Sequence, residues 1–236
     1  MERLQVTHTF FMKYYLAPME GLTTYNFRTN WNRCYGGMDK YFTPFISNRH
    51  MNSRERNDVL PEHNVGMYTV PQILTNKAEE FLSLAEQLAG YGYHEVNLNL
   101  GCPSGTVVAR NRGAGFLGTP RELETFLDEI FEKCPLKISI KTRIGMECPD
   151  EWAPLLKIYQ KFPMKELIIH PRLQKEGYKG TPHLEAFAEA VEALQCPLCY
   201  NGDITSPESL TQILTKLPSI DTVMIGRGIL QNPGLL

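Results

Sequence analysis

Glu95-Val96-Asn97-Leu98-Asn99-Leu100-Gly101-Cys102-Pro103-Ser104 reads as a buried strand that ends in a small-residue turn presenting one thiol. Side chains alternate along a strand with a period of two, so Asn97 and Asn99 share a face. A carboxamide and a thiol at the C-terminal end of a strand suit a planar substrate with polar edges. The asparagine can fix the edge while the sulfur works beside the ring.

Working outward, seven further short apolar runs have the continuous apolarity of buried parallel strands. They are residues 14–19, 41–46, 70–74, 137–142, 167–170, 198–201 and 222–226. Amphipathic segments lie between them. Asn76-Lys77-Ala78-Glu79 reads as a capping box before Phe81, Leu82, Ala85, Leu88 and Ala89, and the helix stops near Gly90 and Gly92. Thr119-Pro120-Arg121-Glu122 reads as a second box, with Pro at the first helical position and an apolar face of Leu123, Phe126, Leu127, Ile130 and Phe131. Ser206-Pro207 opens a third helix, with Leu210, Ile213, Leu214 and Leu217 inward. Eight strand–helix units in 236 residues predict an α/β fold, a (β/α)8 TIM barrel formed by one domain over residues 1–236, with residues 1–11 an extension or a short extra strand. A doubly wound sheet is the main competitor. Its usual glycine-rich turn is absent after the first strand, where Ala17-Pro18-Met19-Glu20-Gly21-Leu22 stands instead.

The unusual polar residues collect at strand C-terminal ends, the face that holds the active site of a barrel. They include Met19 and Glu20, Gln72, Asn99 and Cys102. Lys141 and Arg143, His170 and Arg172, Asn201 and Asp203, and Gly226 and Arg227 follow on later strands. Burying such groups without partners costs several kcal/mol, so the pattern implies a bound polar ligand. Asn201-Gly202-Asp203-Ile204 and Gly226-Arg227-Gly228 bring glycine amides to strands seven and eight, where barrels often hold phosphate. Lys141 and Arg143 face one way and repel unless an anion or electron-rich ring lies between them. A reduced flavin fits there; a salt bridge to Glu20 or Asp203 is the alternative, and both stay open.

Cys102 has three readings. A nucleophile needs a partner base, and no neighbouring His is evident; a metal ligand needs companions, and none is near. As a general acid it needs only to stay protonated, which a thiol of reference pKa ~8.5 does at neutral pH; that role is preferred. Cys196-Pro197-Leu198-Cys199 has no second pair, and its odd spacing points the sulfurs to opposite faces, so packing outweighs zinc or redox chemistry. No metal site is expected. The six cysteines follow no disulfide rhythm, which suggests a reducing, cytoplasmic setting. No apolar run reaches the ~20 residues of a membrane span, so no membrane partner is expected. The net charge of −2 gives no global attraction to nucleic acid, so any RNA contact must use a local basic patch.

In order, Leu16-Ala17-Pro18-Met19-Glu20-Gly21, Pro71-Gln72-Ile73-Leu74, Asn97-Leu98-Asn99-Leu100-Gly101-Cys102-Pro103 and Lys141-Thr142-Arg143 form one series. His170-Pro171-Arg172, Tyr178-Lys179-Gly180, Asn201-Gly202-Asp203-Ile204 and Ile225-Gly226-Arg227-Gly228 complete it. From about Tyr14 to Leu236 the chain resembles the tRNA-dihydrouridine synthases. The resemblance implies an FMN enzyme, reduced by NADPH, that saturates the C5–C6 bond of uridines in tRNA. Pro18, Met19 and Gln72 would touch the isoalloxazine, Lys141 its electron-accepting edge, and His170 the ring or ribityl chain. Asn201, Gly202, Asp203, Gly226 and Arg227 would hold the ribityl-phosphate. Hydride would pass from N5 to C6 of uracil and Cys102 would protonate C5, with Asn99, Arg143 and Tyr178 orienting the flipped-out base. Arg49, Arg54, Arg56, Arg110 and Arg112, with Arg172, Lys175 and Lys179, would ring the barrel mouth for tRNA phosphates or serve as ordinary solvated loops. The chain departs from the family pattern at Pro171, at Leu173-Gln174 and at Thr181-Pro182-His183. It is expected to lack the family's usual C-terminal helical domain. A monomer is favoured. Two other functions stay open: an FMN barrel acting on a free pyrimidine, like dihydroorotate or dihydropyrimidine dehydrogenases, and a non-catalytic RNA-binding barrel.

Overall fold

The structure, a computed structural model, describes residues 12–236. The extension or extra strand expected within residues 1–11 lies outside the described residues. The eight expected strands form, with their ends moved by up to three residues: β1 Lys13–Leu16, β2 Lys40–Ile46, β3 Thr69–Ile73, β4 Glu95–Leu100, β5 Lys137–Arg143, β6 Glu166–His170, β7 Leu198–Asn201 and β8 Thr222–Ile225. Each pairs in parallel with the next, and β8 closes on β1 through Leu16↔Ile225, giving a closed (β/α)8 barrel.

The alternation within each strand divides the core in two. Outward residues such as Val96, Leu98 and Leu100 join a large cluster under the helices. Inward residues Tyr15, Phe42, Val70, Ile168, Cys199 and Met224, with Ala17 just beyond β1, form a small separate cluster inside the cylinder. Cys199 belongs to this inner cluster while Cys196 packs on the outer one, as their odd spacing implied. No group of three or more His, Cys, Asp or Glu able to hold a metal occurs among the described residues. In β2, Pro44 has no N–H to give, and the pairing with β3 slips by one residue between Phe42 and Phe45.

Helices α1 Tyr25–Cys34, α2 Ser53–Val59, α3 Ala78–Gly90, α4 Gly105–Val108 and α5 Pro120–Lys133 come before β5. Helices α6 Trp152–Tyr159, α7 Leu184–Ala193, α8 Pro207–Lys216 and α9 Arg227–Gln231 follow. The apolar stripes of α3 and α5 meet through Phe81 and Phe126, edge to face at 6.1 Å. Two expected caps do not form. Asn76 does not cap α3; the Thr75 hydroxyl accepts from Lys77 N and donates to Glu80, and the helix starts one residue later than the expected box requires. Pro120 does open α5, but Thr119 points its hydroxyl at the Phe116 carbonyl and Asn111 instead of the helix amides. Ser206 caps α8 as expected, accepting from Ser209 N.

The N-terminal end of the barrel is sealed by charge. The Lys40 ammonium lies 3.2 Å from both Glu95 and Glu166, while Tyr15 donates to Glu166 at 2.8 Å and Tyr68 to Glu95 at 3.0 Å. Two buried carboxylates thus share one cation and two hydroxyls. Lys40→Met leaves both acids without a counter-ion. It is expected to cost about 3–5 kcal/mol of unfolding free energy, read as a lower urea midpoint, without affecting the opposite face of the barrel.

Candidate active site

At the C-terminal ends of the strands opens a cavity of about 410 Å³, within the size range of small-molecule sites. Its lining brings together Pro18, Met19, Asn99, Cys102, Lys141, Arg143 and His170 from the first six units of the chain. Tyr178, also from the sixth unit, and Asn201, Gly202, Asp203, Gly226 and Arg227 from the last two line it as well. Gln72 is not part of the lining. It is fully buried one layer below.

Both ends of the Asn99 carboxamide are engaged. Its Oδ1 accepts from Gly101 N at 3.0 Å and Cys102 N at 2.9 Å, and its Nδ2 donates to Gln72 at 2.8 Å. Asn99 therefore builds the turn that carries the thiol and offers the cavity only its second amide hydrogen. The other side of that turn is clamped too, because the Cys102 carbonyl accepts from Ala114 N at 3.0 Å. Gly113 makes this approach possible: it has φ of +56°, and a Cβ there would stand 2.9 Å from the Cys102 carbonyl oxygen. The sequence reading missed Gly113; its signal was the run Gly113-Ala114-Gly115 soon after the cysteine turn. Gln174, where the family pattern is broken, donates to the Pro103 carbonyl at 3.1 Å and braces the same turn. Phe45 and Met224 also line the cavity unforeseen. The slip around Pro44 accounts for Phe45.

Cations dominate the cavity. Lys141 has no hydrogen-bond or ion-pair partner among the described residues, and Glu20 and Asp203 do not pair with it. Glu20 faces Arg54 at 3.5 Å, and Asp203 is held by Arg172 and by Arg227 at 2.8 Å. The salt-bridge alternative for Lys141 and Arg143 therefore fails. Burial, reinforced by Arg143, pushes the Lys141 ammonium down to about 8. Arg143 is almost wholly buried and donates to the carbonyls of Gly101 and Leu173, each at 2.9 Å. Burial also raises the Cys102 thiol above its ordinary value, against the opposing pull of Arg143 and Lys141.

Arg172, expected at the RNA-facing rim, is instead buried with all five N–H groups engaged. They reach Lys179 O, Gly180 O, His170 Nε2 and both oxygens of Asp203. A guanidinium only donates, so His170 Nε2 must accept and its proton resides on Nδ1. Burial and the surrounding cations hold His170 neutral, well below its ordinary value. Asp203, at φ +44°, anchors two guanidiniums, and as an ionised carboxylate it has no hydrogen to offer a phosphate. Gly228 lets the last two loops touch, since a Cβ there would overlap the Ile204 carbonyl. Tyr178 stands exposed at the mouth, stacked on His170, with Arg143 and Arg227 at 5.4 and 4.8 Å from its ring. Of the expected RNA-contacting cations, Arg49, Arg54, Arg112 and Lys175 are paired with Glu79, Glu20, Glu80 and Glu147.

The depressed Lys141 has a measurable signature. Between its folded value near 8 and its ordinary value of 10.5 the unfolded chain binds the extra proton, so stability of the ligand-free protein should gain with pH across that window. Urea melts of Lys141→Met should lack that increment relative to the unaltered protein.

A family model described as Dihydrouridine synthase (Dus) matches residues 15–236. A probable tRNA-dihydrouridine synthase of Staphylococcus epidermidis is 32% identical over 235 residues, covering 92% of this chain and 69% of that protein. The tRNA-dihydrouridine(16) synthase of Pseudomonas putida is 29% identical over 234 residues, covering 95% of this chain and 72% of that one. The chain thus spans about two thirds to three quarters of the length of these relatives. Among solved structures, histamine dehydrogenase from Rhizobium sp. 4-9 superposes with TM-score 0.66 at 11% identity, over 94% of this chain and 45% of that one. Morphinone reductase does so with TM-score 0.63 at 12% identity, over 94% and 84%. At such identities these two likenesses speak to the barrel alone.

Proposed function

This chain belongs to the dihydrouridine synthase family, and on that premise we propose that it reduces specific uridines of tRNA to 5,6-dihydrouridine, with FMN as resident cofactor and NADPH as reductant. What carries the reading is a half-buried thiol held by its own backbone in the same cavity as an unpartnered ammonium. The residues suit the group. Pro18, Met19 and Phe45 offer apolar surface, Lys141 offers a cation to an electron-rich ring edge, and Arg227 with the Gly202 and Gly226 backbone offers a place for phosphate. When bound, reduced FMN would supply the hydride that saturates the uracil ring at C6.

The chain's own residues supply the rest. Cys102, neutral at physiological pH, gives its proton to C5 as the carbon gains electron density, and the thiolate left behind lies near Arg143 and Lys141. Arg143 keeps part of its guanidinium free of carbonyl partners, Asn99 keeps one amide hydrogen, and Tyr178 presents an open face; together they orient a base drawn out of the RNA stack. Arg56, Arg110 and Lys179, exposed and without acidic partners among the described residues, are the cations left for tRNA phosphates. We place the protein in the cytoplasm and favour a monomer. Its six free cysteines accord with a reducing compartment, and among the described residues no helix is long and apolar enough to cross a membrane.

Purified protein should be yellow with flavin absorbance; a colourless protein that rejects added FMN overturns the cofactor. Cys102→Ala should still let NADPH bleach the flavin yet lose dihydrouridine formation on unmodified tRNA by a factor on the order of a hundred or more. Full turnover by that variant removes Cys102 as the acid. Turnover on free uracil or dihydroorotate but not on tRNA would reassign the substrate.

A further inference from the structure

A line of four side chains crosses the barrel interior below the cavity and ends on the Cys102 turn. From the turn downward, Asn99 Oδ1 accepts from Gly101 N and Cys102 N, and Asn99 Nδ2 donates to Gln72 Oε1 at 2.8 Å. Gln72 Nε2 donates to Asn97 Oδ1 at 2.8 Å, and Asn97 Nδ2 donates to Ser139 Oγ at 2.9 Å. The Ser139 hydroxyl then donates, over a long 3.5 Å, to the Val96 carbonyl. Parallel register makes the line possible, since Gln72 pairs with Asn97 and Asn97 with Ser139 across β3, β4 and β5.

Two features give this line a direction. Backbone N–H groups only donate, so Asn99 must present its oxygen to the turn. Each amide below it must then face the same way, down to a hydroxyl that can accept from Asn97 and donate to a carbonyl. Gln72, Asn97 and Ser139 are fully buried and Asn99 nearly so, which removes water as a substitute partner. Reversing Gln72 would set donor against donor toward Asn99 and acceptor against acceptor toward Asn97.

We propose that Ser139, Asn97 and Gln72 are positioning residues that hold Asn99 in one orientation and so fix the backbone that aims the Cys102 thiol into the cavity. None of the three touches the cavity. They act through Asn99, and the catalytic half of the proposal rests on the reading of Cys102 as the proton donor. Ser139→Ala deprives Asn97 Nδ2 of its acceptor and loosens every link above it. Ser139→Thr keeps the hydroxyl.

The test has two arms. In ligand-free protein, alkylation of Cys102 by iodoacetamide, followed by peptide mass spectrometry across pH, should be about threefold or more faster in Ser139→Ala and return to the unaltered rate in Ser139→Thr. In the flavin-loaded enzyme, Ser139→Ala should lower kcat on tRNA on the order of tenfold to a hundredfold with KM and NADPH-driven flavin bleaching unchanged, and Ser139→Thr should restore it. Should Ser139→Ala fail to fold, Gln72→Met breaks the same line nearer the turn, and its alkylation rate carries the first arm. An unchanged alkylation profile in the folded variant overturns the positioning role. A changed profile in a protein that never reduces uridine upholds that role and sinks the functional reading instead.

Discussion

A polar side chain pointing into a closed strand cylinder has no water to turn to, and the interior of this barrel is ordered by that constraint. Each inward group must find a partner on a neighbouring strand or open into the cavity. At the N-terminal end the answer is ionic, with Lys40 between Glu95 and Glu166. In the middle, apolar residues such as Phe42, Ile168 and Met224 share the cross-section with the Gln72, Asn97 and Ser139 chain. At the C-terminal end Lys141, without a partner among the described residues, lines the cavity. A ligand-binding mouth is what remains when the pairing below it is complete.

The fold was legible because parallel strands buried on both faces give continuous apolar runs, and eight such runs could be counted without knowing their neighbours. Strand identity survived even where Pro44 broke the register. The helix caps at Asn76 and Thr119 were misread for a physical reason. Short polar side chains bond whichever group lies near, and here Asn76 donates to the Arg110 carbonyl, brought in by the fold, while Thr119 donates to the Phe116 carbonyl one turn back. The site was legible as a set of positions at strand ends, since period two decides which residues face inward. Which of those residues reach the cavity depends on stagger between strands distant in sequence. Gln72 and Asn99 both point inward, yet only Asn99 lines the cavity. Arg172 looked like a surface cation because it follows a strand; a carboxylate from the next unit, Asp203, drew it into the interior.

The electrostatics of the mouth follow from the same economy of partners. Arg172 and Arg227 share Asp203, while Arg143 rests on carbonyl oxygens and Lys141 has no partner among the described residues, so the field at the cavity is positive although the whole chain carries a net charge of −2. A neutral histidine beside these cations is a consequence, because a charged His170 would add to the repulsion. An anionic or electron-rich ligand would relieve it.

That field also bears on which group can deliver a proton. His170 is excluded: neutral, with Nε2 turned to Arg172, it has no acidic proton to give at physiological pH. Cys102 starts uncharged, so the neighbouring Arg143 and Lys141 gain little from it in the ground state. In the proposed transfer, negative charge would grow on sulfur next to both cations, and their stabilisation would appear only as the proton leaves. On the proposed reading, burial would keep the thiol protonated until a carbon can take the proton, and the cations would lower the cost of losing it at that moment. Both effects would depend on where the sulfur is held, and the hydrogen bonds that Asn99 Oδ1 accepts from the Gly101 and Cys102 amides fix the turn that carries it.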